Sequence, residues 1–271
     1  MARKVIVIGS GLTAPEASTW PKVDGVQIVT INNAWKIRDD WDYAIVNEEM
    51  PEHNRPNPSI FGGKIIDSAE PYLEAYSRFG GFCFGGATMA IAVGYWAAAF
   101  LDADFVGFIG CDMDYSVHDG KTHFYGVGNP DPLRNDLSLR SLDAKTGRLY
   151  LLSLERGAHF LNLSPAPISR LTFPRIDYDT FSRLNVSSKA RVTETLASTL
   201  SEVNDDIAKA KSLESGADLD VTDARGYLSQ LEKIGVETID RIDRLWLTAA
   251  NTVAKRHEGI LTEYSRPTEA R

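Results

Sequence analysis

Cysteine is scarce in this chain, and no long apolar run occurs. Only Cys83 and Cys111 are present among 271 residues, which leaves no disulfide framework and favours a reducing compartment. The most apolar segment, residues 87–101, is shorter than the ~18–20 residues of a membrane span. The start, MARKVIVIGSG, is a charged lead into a first strand and lacks the pattern of a signal peptide. We therefore expect a cytoplasmic protein without a membrane span.

Basic residues are in the minority, and several familiar site motifs are missing. Lys and Arg number 29 against 37 Asp and Glu, a formal net charge of −8, which argues against a general nucleic-acid-binding surface. No histidine pair has the spacing of a zinc site, and the chain has neither a GxSxG elbow nor a Walker A lysine motif. Structural zinc, serine-hydrolase and P-loop functions therefore lack support.

What the chain does contain is an alternation of apolar strands and helices. Residues 4–8 (KVIVI) form a β-branched run closed by the GSG of residues 9–11, and Thr13 with Glu16 predicts a capping box for the helix that follows. A small-residue helix is predicted over 88–101. Further strands are predicted at 26–31, 43–46, 64–66, 105–109 and 159–163. This order predicts an α/β fold with a Rossmann-like, doubly wound, mainly parallel sheet.

The composition changes after about Asp177. Apolar residues then recur at helical spacing in two stripes, separated by the helix-stopping SGAD of residues 215–218. The stripes are Val192, Leu196, Leu200, Val203, Ile207 and Leu213, then Leu228, Leu231, Ile234, Ile242, Leu245, Ala249 and Val253. We predict a catalytic domain over 1–176 and an α-helical hairpin over 177–271, which serves packing, oligomerisation or acceptor contact.

The loop after the first strand matches the pattern GxGxxA. Glycines there permit close backbone approach, and a helix N-terminus attracts phosphate. The dinucleotide fingerprint also expects an acidic residue after the second strand, where this chain has Asn32-Asn33. The loop is therefore interpreted either as a phosphate or nucleotide loop of another type or as a tight turn without a ligand.

The segment after the strand 105–109 carries a dense set of titratable side chains. Asp112 and Asp114 follow the strand directly, and paired carboxylates of this kind can hold a divalent cation against a diphosphate. Alternate residues of an extended segment point in opposite directions, so both bind one ion only if the backbone turns there. The alternative is that Asp112 caps a neighbouring helix or loop.

His123 is the candidate general base. It lies in the cluster KTHFYG, residues 121–126, and histidine titrates close to neutral pH. Tyr125 beside it can donate a hydrogen bond to a leaving phosphate. His118 lies in a predicted solvated turn, His159 starts a strand, and His257 is expected on a solvated helix face.

Taken in order, these motifs resemble the bacterial sialyltransferases of glycosyltransferase family 42. They also resemble the wider sialyltransferase-like superfamily, which includes the MptE-like pterin diphosphokinases and motility accessory proteins. The resemblance covers about the first 175 residues. It rests on the GSG loop, the asparagines that close the second and third strands, the segment GGATMAIAVGYWAAAFLDADFVGFIGCDMDY, the histidine loop and LNLSPAPIS.

The resemblance implies a Rossmann-like fold that binds a cytidine monophosphate sugar and needs no metal for transfer. It implies that a histidine deprotonates the acceptor, here His123, and that tyrosines steady the departing phosphate, here Tyr115. Tyr125 is a further candidate for this role because it lies beside His123 in the sequence. The donor-binding positions it implies are Gly9, Ser10, Gly11, Asn33, Asn47, Gly86, Ala87, Thr88 and Asp112. Ser10 stands where the family has asparagine. Because CDMDY has one extra residue, either Asp114 or Tyr115 can align with the family's tyrosine.

The sequence thus supports a glycosyltransferase that is inverting and uses a nucleotide-activated, CMP-sugar-like donor. The first alternative is an MptE-like diphosphotransferase in which Asp112 and Asp114 hold magnesium or manganese. The second is a non-catalytic nucleotide-binding or assembly protein that works through its C-terminal helices. The acceptor stays open among a glycan, a lipid, a protein and a nucleic-acid base.

Overall fold

The computed structural model describes residues 1–66, 70–128, 136–220 and 226–265. Six strands form one sheet in the order β4-β3-β2-β1-β5-β6, and all neighbouring strands are parallel. The strands are β1 (Lys4–Ile8), β2 (Val26–Ile31), β3 (Tyr43–Ile45), β4 (Ile65–Ile66), β5 (Phe105–Ile109) and β6 (His159–Asn162). Each lies within one residue of its predicted bounds, and the predicted Rossmann-like α/β fold is confirmed.

The order of strands reverses at β1. The chain adds β2, β3 and β4 on one side and then crosses over to add β5 and β6 on the other. Every residue of β1 and β5 is buried, as expected for central parallel strands covered on both faces. The connection after β1 leads to one side of the sheet and the connection after β5 to the other, and such a reversal point is where open α/β sheets bind their ligands.

Nine α-helices occur in the described ranges. They are α1 (Pro58–Phe61), α2 (Glu70–Ser77), α3 (Met89–Phe100), α4 (Leu142–Glu155), α5 (Tyr178–Arg183), α6 (Val186–Glu202), α7 (Asn204–Gly216), α8 (Tyr227–Ile234) and α9 (Val236–Ser265). Thr88 caps α3 by accepting a hydrogen bond from the Ile91 N–H, so the predicted helix is confirmed. None of these helices has both the length and the apolar composition needed to cross a membrane.

The predicted capping box after β1 is wrong. A 3-10 helix, Ala14–Thr19, follows the first loop, and Thr13 makes no capping hydrogen bond. Its hydroxyl instead contacts Asp112 and Ser164, which lie on the loops after β5 and β6. The Thr13 hydroxyl therefore bonds to side chains that the sheet brings close, and not to the Glu16 N–H that the capping box predicts.

The C-terminal helices form the predicted hairpin, although each arm is interrupted. The first arm, α6 and α7, breaks at Val203, and the second, α8 and α9, breaks at Gly235 with a φ of 77°. Arg191 on α6 pairs with Glu263 on α9, which shows that the arms run antiparallel.

The hairpin packs on the Rossmann-like layer through α9 and α4. Lys145 on α4 forms a buried ion pair with Asp243 on α9, with 2.7 Å between Nζ and Oδ1. Arg148 on α4 does the same with Glu214 on α7 at 2.9 Å. The buried apolar residues of the layer and of the hairpin belong to one continuous core. The division after residue 176 stays a prediction.

The expectation that His257 lies on a solvated face is wrong. His257 is fully buried, its Nδ1 lies 2.8 Å from the Tyr150 hydroxyl, and its ring lies edge-on to His159 at 5.2 Å. Burial lowers the pKa of His159 to about 4, with Lys189 adding to the shift and Asp104 opposing it. Burial also lowers the pKa of His257 well below its ordinary value. Both rings are therefore neutral between the sheet and the hairpin.

Acid should loosen this interface. The folded pKa values lie below the unfolded value of ~6.5, so the unfolded chain binds more protons as the pH falls below 6.5. Each histidine should then cost about 1.4 kcal/mol of unfolding free energy per pH unit, until its folded pKa is reached. Urea unfolding at pH 7.5 and 5.0 measures this loss. The double variant His159→Asn/His257→Asn should reduce the dependence of the unfolding free energy on pH, whereas the control His53→Asn, at an exposed residue, should not. Equal pH dependence in the wild-type protein and both variants would refute the assignment.

Candidate functional site

The loops after β1 and β5 touch through their backbones. The Gly9 N–H donates to the Ile109 carbonyl and the Gly11 N–H to the Gly110 carbonyl, both at 2.8 Å. A Cβ at position 9 would overlap the Gly110 carbonyl oxygen, and one at position 11 would lie 2.9 Å from it. The glycines of the first loop are thus required by the close approach of the β5 loop, whatever else the loop binds.

Asp112 holds the loops after β1, β5 and β6 together. Its Oδ2 accepts hydrogen bonds from Ser164 Oγ at 2.7 Å and from Thr13 Oγ1 at 3.2 Å, and those hydroxyls lie 3.0 Å apart. Asp112 is only 6% exposed, and its Oδ1 has no hydrogen-bond partner in the described part of the chain. A buried carboxylate oxygen of this kind is a ready acceptor for a ligand hydroxyl or amine.

Asp114 belongs to a second, separate network. Its oxygens contact the Ser116 N–H at 3.0 Å and His118 Nε2 at 2.9 Å. Burial opposes its ionisation, but the hydrogen bonds from Ser116 and His118 outweigh it and lower the pKa of Asp114. Met113 between the two aspartates has a φ of 52°, so the backbone does turn there.

The turn does not gather the aspartates into one ligand set, since each carboxylate has its own partners. In the four described ranges, no group of three or more His, Cys, Asp or Glu side chains lies where it could hold a metal ion. Cys111 is buried, and burial raises the pKa of its thiol, so it is not a reactive nucleophile at neutral pH.

The candidate base lies on a small hairpin that docks on the first loop. His123 and Gly126 pair across this turn, and the Phe124 N–H donates to the Ser10 carbonyl at 3.2 Å. We call residues 122–126 the histidine hairpin. Its docking places His123 at the carboxyl edge of the sheet, near the ends of β1 and β5, where the strand order reverses.

The imidazole of His123 is held in place and neutral. Its Nδ1 lies 2.8 Å from Thr122 Oγ1, which also accepts the Gly128 N–H, and its ring stacks on Tyr125 at 5.2 Å. Partial burial lowers the pKa of His123, so the ring is unprotonated at neutral pH. In the described part of the chain Nε2 has no partner; when Nδ1–H donates to Thr122, Nε2 carries the free lone pair.

The loops after β2 and β3 join the same edge. Asn33 lies beside Tyr125: burial, the larger effect, raises the pKa of this phenol, and the nearby Asn33 side chain lowers it. Asn32 accepts the Asn47 N–H at 2.9 Å. The Asn47 side chain accepts the Glu49 N–H at 2.8 Å, which leaves it turned into its own loop.

The N-terminus of α3 lies beside the Asp112–Asp114 turn. Gly86 has a φ of 86°, which a side chain rarely adopts, and the chain passes through Ala87 into the helix. Thr88 Oγ1 lies 3.4 Å from the Met113 sulfur. The partial positive charge of this helix end is thus directed at the same edge of the sheet.

The structure therefore brings most predicted site residues to one edge. It joins Ser10 with the histidine hairpin and Tyr125 with Asn33, whereas Tyr115 is half-buried and packs against the core. Sequence reasoning missed Thr13 and Ser164 as partners of Asp112. The position of Ser164 two residues after the end of β6 is the signal that would have found it.

No protein-family model, curated protein or solved structure matches this chain.

Proposed function

We propose that the protein is an inverting glycosyltransferase that uses a nucleotide-activated, CMP-sugar-like donor, with His123 as its general base. The main support is the docking of the histidine hairpin on the first loop, where the Phe124 N–H meets the Ser10 carbonyl. This contact places a neutral imidazole and a phenol where an open α/β sheet binds its ligand. The resemblance to family 42 sialyltransferases is the source of the donor class.

The proposed reaction is a single displacement. His123 Nε2 accepts the proton of the acceptor hydroxyl, the acceptor oxygen bonds to the anomeric carbon, and the bond from that carbon to the phosphate oxygen breaks. The nucleoside monophosphate leaves with the bonding electron pair. Tyr125 and Tyr115 are assigned to donate hydrogen bonds to it, and the raised pKa of Tyr125 keeps that phenol protonated.

The donor is assigned to the other loops. The phosphate is assigned to the N-terminus of α3 and to Ser10 in the first loop, because the N–H groups of Gly9 and Gly11 already donate to the Ile109 and Gly110 carbonyls. Asn33 and Asp112 would meet the ribose and base, and the free Oδ1 of Asp112 supports this assignment because it is a buried acceptor without a partner. The assignment of Asn47 to the donor rests on the resemblance alone, since its side-chain oxygen, its backbone N–H and its carbonyl already have partners.

One observation favours the magnesium-dependent alternative. The same Asp112 Oδ1 could bind a cation, as an MptE-like diphosphotransferase would require of Asp112 and Asp114. Asp114 opposes this role, since both of its oxygens already have partners.

Nucleotide binding by the full chain tests the proposal. Thermal unfolding is followed with cytidine, uridine, adenosine and guanosine mono- and diphosphates, in EDTA and in magnesium. A cytidine nucleotide in EDTA should raise the melting temperature, because a ligand at 100 times its Kd adds about 2.7 kcal/mol. Asn33→Ala should reduce this shift, whereas Asn54→Ala should not, although both asparagines contact Lys36.

The outcomes separate the candidate functions. A shift that requires magnesium would replace the transferase by the diphosphotransferase, and the absence of any nucleotide shift would overturn both. An assembly protein that binds nucleotide but transfers nothing would show the shift without donor-dependent release of monophosphate.

A further inference from the structure

A second polar and aromatic surface lies next to Asn33, outside the site described above. It is a groove of about 560 Å³, within the size range of small-ligand sites. We call it the Trp35 groove. Its lining includes Ser18, Trp35, Lys36, Arg38, Asp40, Trp41 and Phe61.

The aromatic rings of the groove form a platform. Trp41 is buried beneath Phe61, with ring centroids 4.7 Å apart and planes tilted by 40°. Half-exposed Trp35 lies 6.2 Å from Phe61 at 59° and is fixed by its indole N–H, which donates to the Asn54 carbonyl at 2.9 Å. Both ring pairs are tilted, so neither forms the parallel slot in which a flat nucleobase would stack between two rings.

Polar groups surround the platform. Arg38 and Asp40 form a bidentate pair at 2.5 and 2.7 Å, and Arg38 also donates to the Ala17 carbonyl at 2.9 Å. The nearly buried guanidinium therefore holds the more exposed Asp40 carboxylate in place as an acceptor, beside the donor Lys36. The indole N–H of Trp41 is buried without a partner in the described ranges. A pyranose ring combines an apolar face, which suits an aromatic platform, with hydroxyls that need such paired donors and acceptors.

Lys36 connects the groove to the proposed active site. Its Nζ donates to Asn33 Oδ1 at 3.1 Å and to Asn54 Oδ1 at 3.0 Å and lies 5.6 Å from the centre of the Trp35 ring. Asn33 in turn lies beside Tyr125, whose ring stacks on His123. A series of side-chain contacts therefore leads from the groove to the candidate base.

We propose that the Trp35 groove binds the acceptor and that the acceptor is a saccharide. Its pyranose ring packs against Trp35, and its hydroxyls bond to Lys36 and to the Arg38–Asp40 pair. This assignment rests on the transferase function proposed above, and it selects a glycan from the possible acceptors. The saccharide extends from the groove toward His123, which receives the proton of the reacting hydroxyl.

Direct glycan binding tests the groove. The full chain, labelled at its N-terminus, is applied to an array of neutral and acidic oligosaccharides, and the most strongly retained glycan is titrated by calorimetry. Trp35→Ala should weaken its binding at least tenfold. Trp20→Ala, which removes an indole stacked on Tyr178 outside the groove, should leave the affinity unchanged. Ser18→Trp, which fills the groove from an exposed position, should block binding even if Trp35→Ala fails to fold.

The nucleotide titration is run on the same variants. The proposal that the groove binds a saccharide is overturned if no glycan is retained, or if Trp35→Ala and Ser18→Trp both leave the affinity unchanged. If the nucleotide shift is intact in that case, the proposed transferase function is not affected. Loss of the nucleotide shift in Trp35→Ala would make the groove part of the donor site and also overturn the proposal. Glycan binding without any nucleotide shift would overturn the acceptor role and the transferase together, leaving a saccharide site.

Discussion

Replacing His123 with glutamine should lower donor-dependent transfer by about 10²–10⁴-fold, the usual contribution of a positioned general base. Glutamine keeps a polar side chain of similar length but cannot accept the proton of the acceptor hydroxyl. The nucleotide-induced thermal shift should be unchanged, since His123 is assigned to the reaction and not to the donor. Release of nucleoside monophosphate at saturating donor, measured with the sugar nucleotide that binds most tightly, gives the rate.

The pH profile adds an independent measurement. A base acts when unprotonated, and partial burial lowers the pKa of His123, so activity should persist below pH 6.5 and fall only in more acidic solution. The variant should lose this acidic limb. His118→Gln is the matched control, because His118 lies on the same loop but is exposed and bonded to Asp114. Full transfer by His123→Gln would show that another group is the base.

Replacing Asp243 with alanine should destabilise the protein by about 3–5 kcal/mol. The Lys145 ammonium is 2% exposed and would remain buried without its counter-ion. For a chain of this size the melting temperature should fall by roughly 6–20 °C. Thermal unfolding followed by circular dichroism measures the change.

The control is an exposed pair between the same two regions. Arg140 lies just before α4 and pairs with Asp240 on α9 at 3.1 Å, with both side chains more than a third exposed. Asp240→Ala should therefore lower the melting temperature far less than Asp243→Ala, because solvent screens an exposed ion pair. The double variant Lys145→Met/Asp243→Leu should recover most of the loss, because an apolar pair of similar volume replaces the ions. Equal effects of Asp243→Ala and Asp240→Ala would contradict this account.

The same ion pairs bear on the role of the hairpin. Deleting residues after 176 would leave Lys145 and Arg148 of α4 without Asp243 and Glu214. Both cations would then be exposed to solvent on the Rossmann-like layer, together with the apolar surface of α4 that α9 covers. A helical segment held in this way contributes to the stability of the whole chain, whether or not it also mediates oligomerisation.

Local sequence patterns were sufficient for the strands and for α3. Apart from Lys4, the runs KVIVI and FVGFI contain no polar residue, as expected for strands buried on both faces, and Thr88 caps its helix through its own neighbours. Parallel strands also place their carboxyl ends at one edge. The grouping of the first loop, Asn33 and the residues after β5 therefore followed from strand assignment alone.

Partners far apart in sequence could not be predicted in this way. Thr13 has a local capping pattern, yet its hydroxyl bonds to Asp112 across the sheet. His257 has charged sequence neighbours, yet it is buried against Tyr150 and His159. In both cases residues distant in sequence supplied the partner, in place of the local cap predicted for Thr13 and the solvent exposure predicted for His257.

For the segment Asp112 to Tyr125, the sequence by itself determined which chemical groups are present and that they follow a central strand. Only the tertiary structure decided which of these groups bond to which partners. It assigned Asp112 to Thr13 and Ser164 and Asp114 to His118, and it folded the histidine hairpin onto Ser10. The physical reason is that hydrogen bonds are short-ranged and directional, so their pairing depends on how the loops after β1, β5 and β6 pack at one edge.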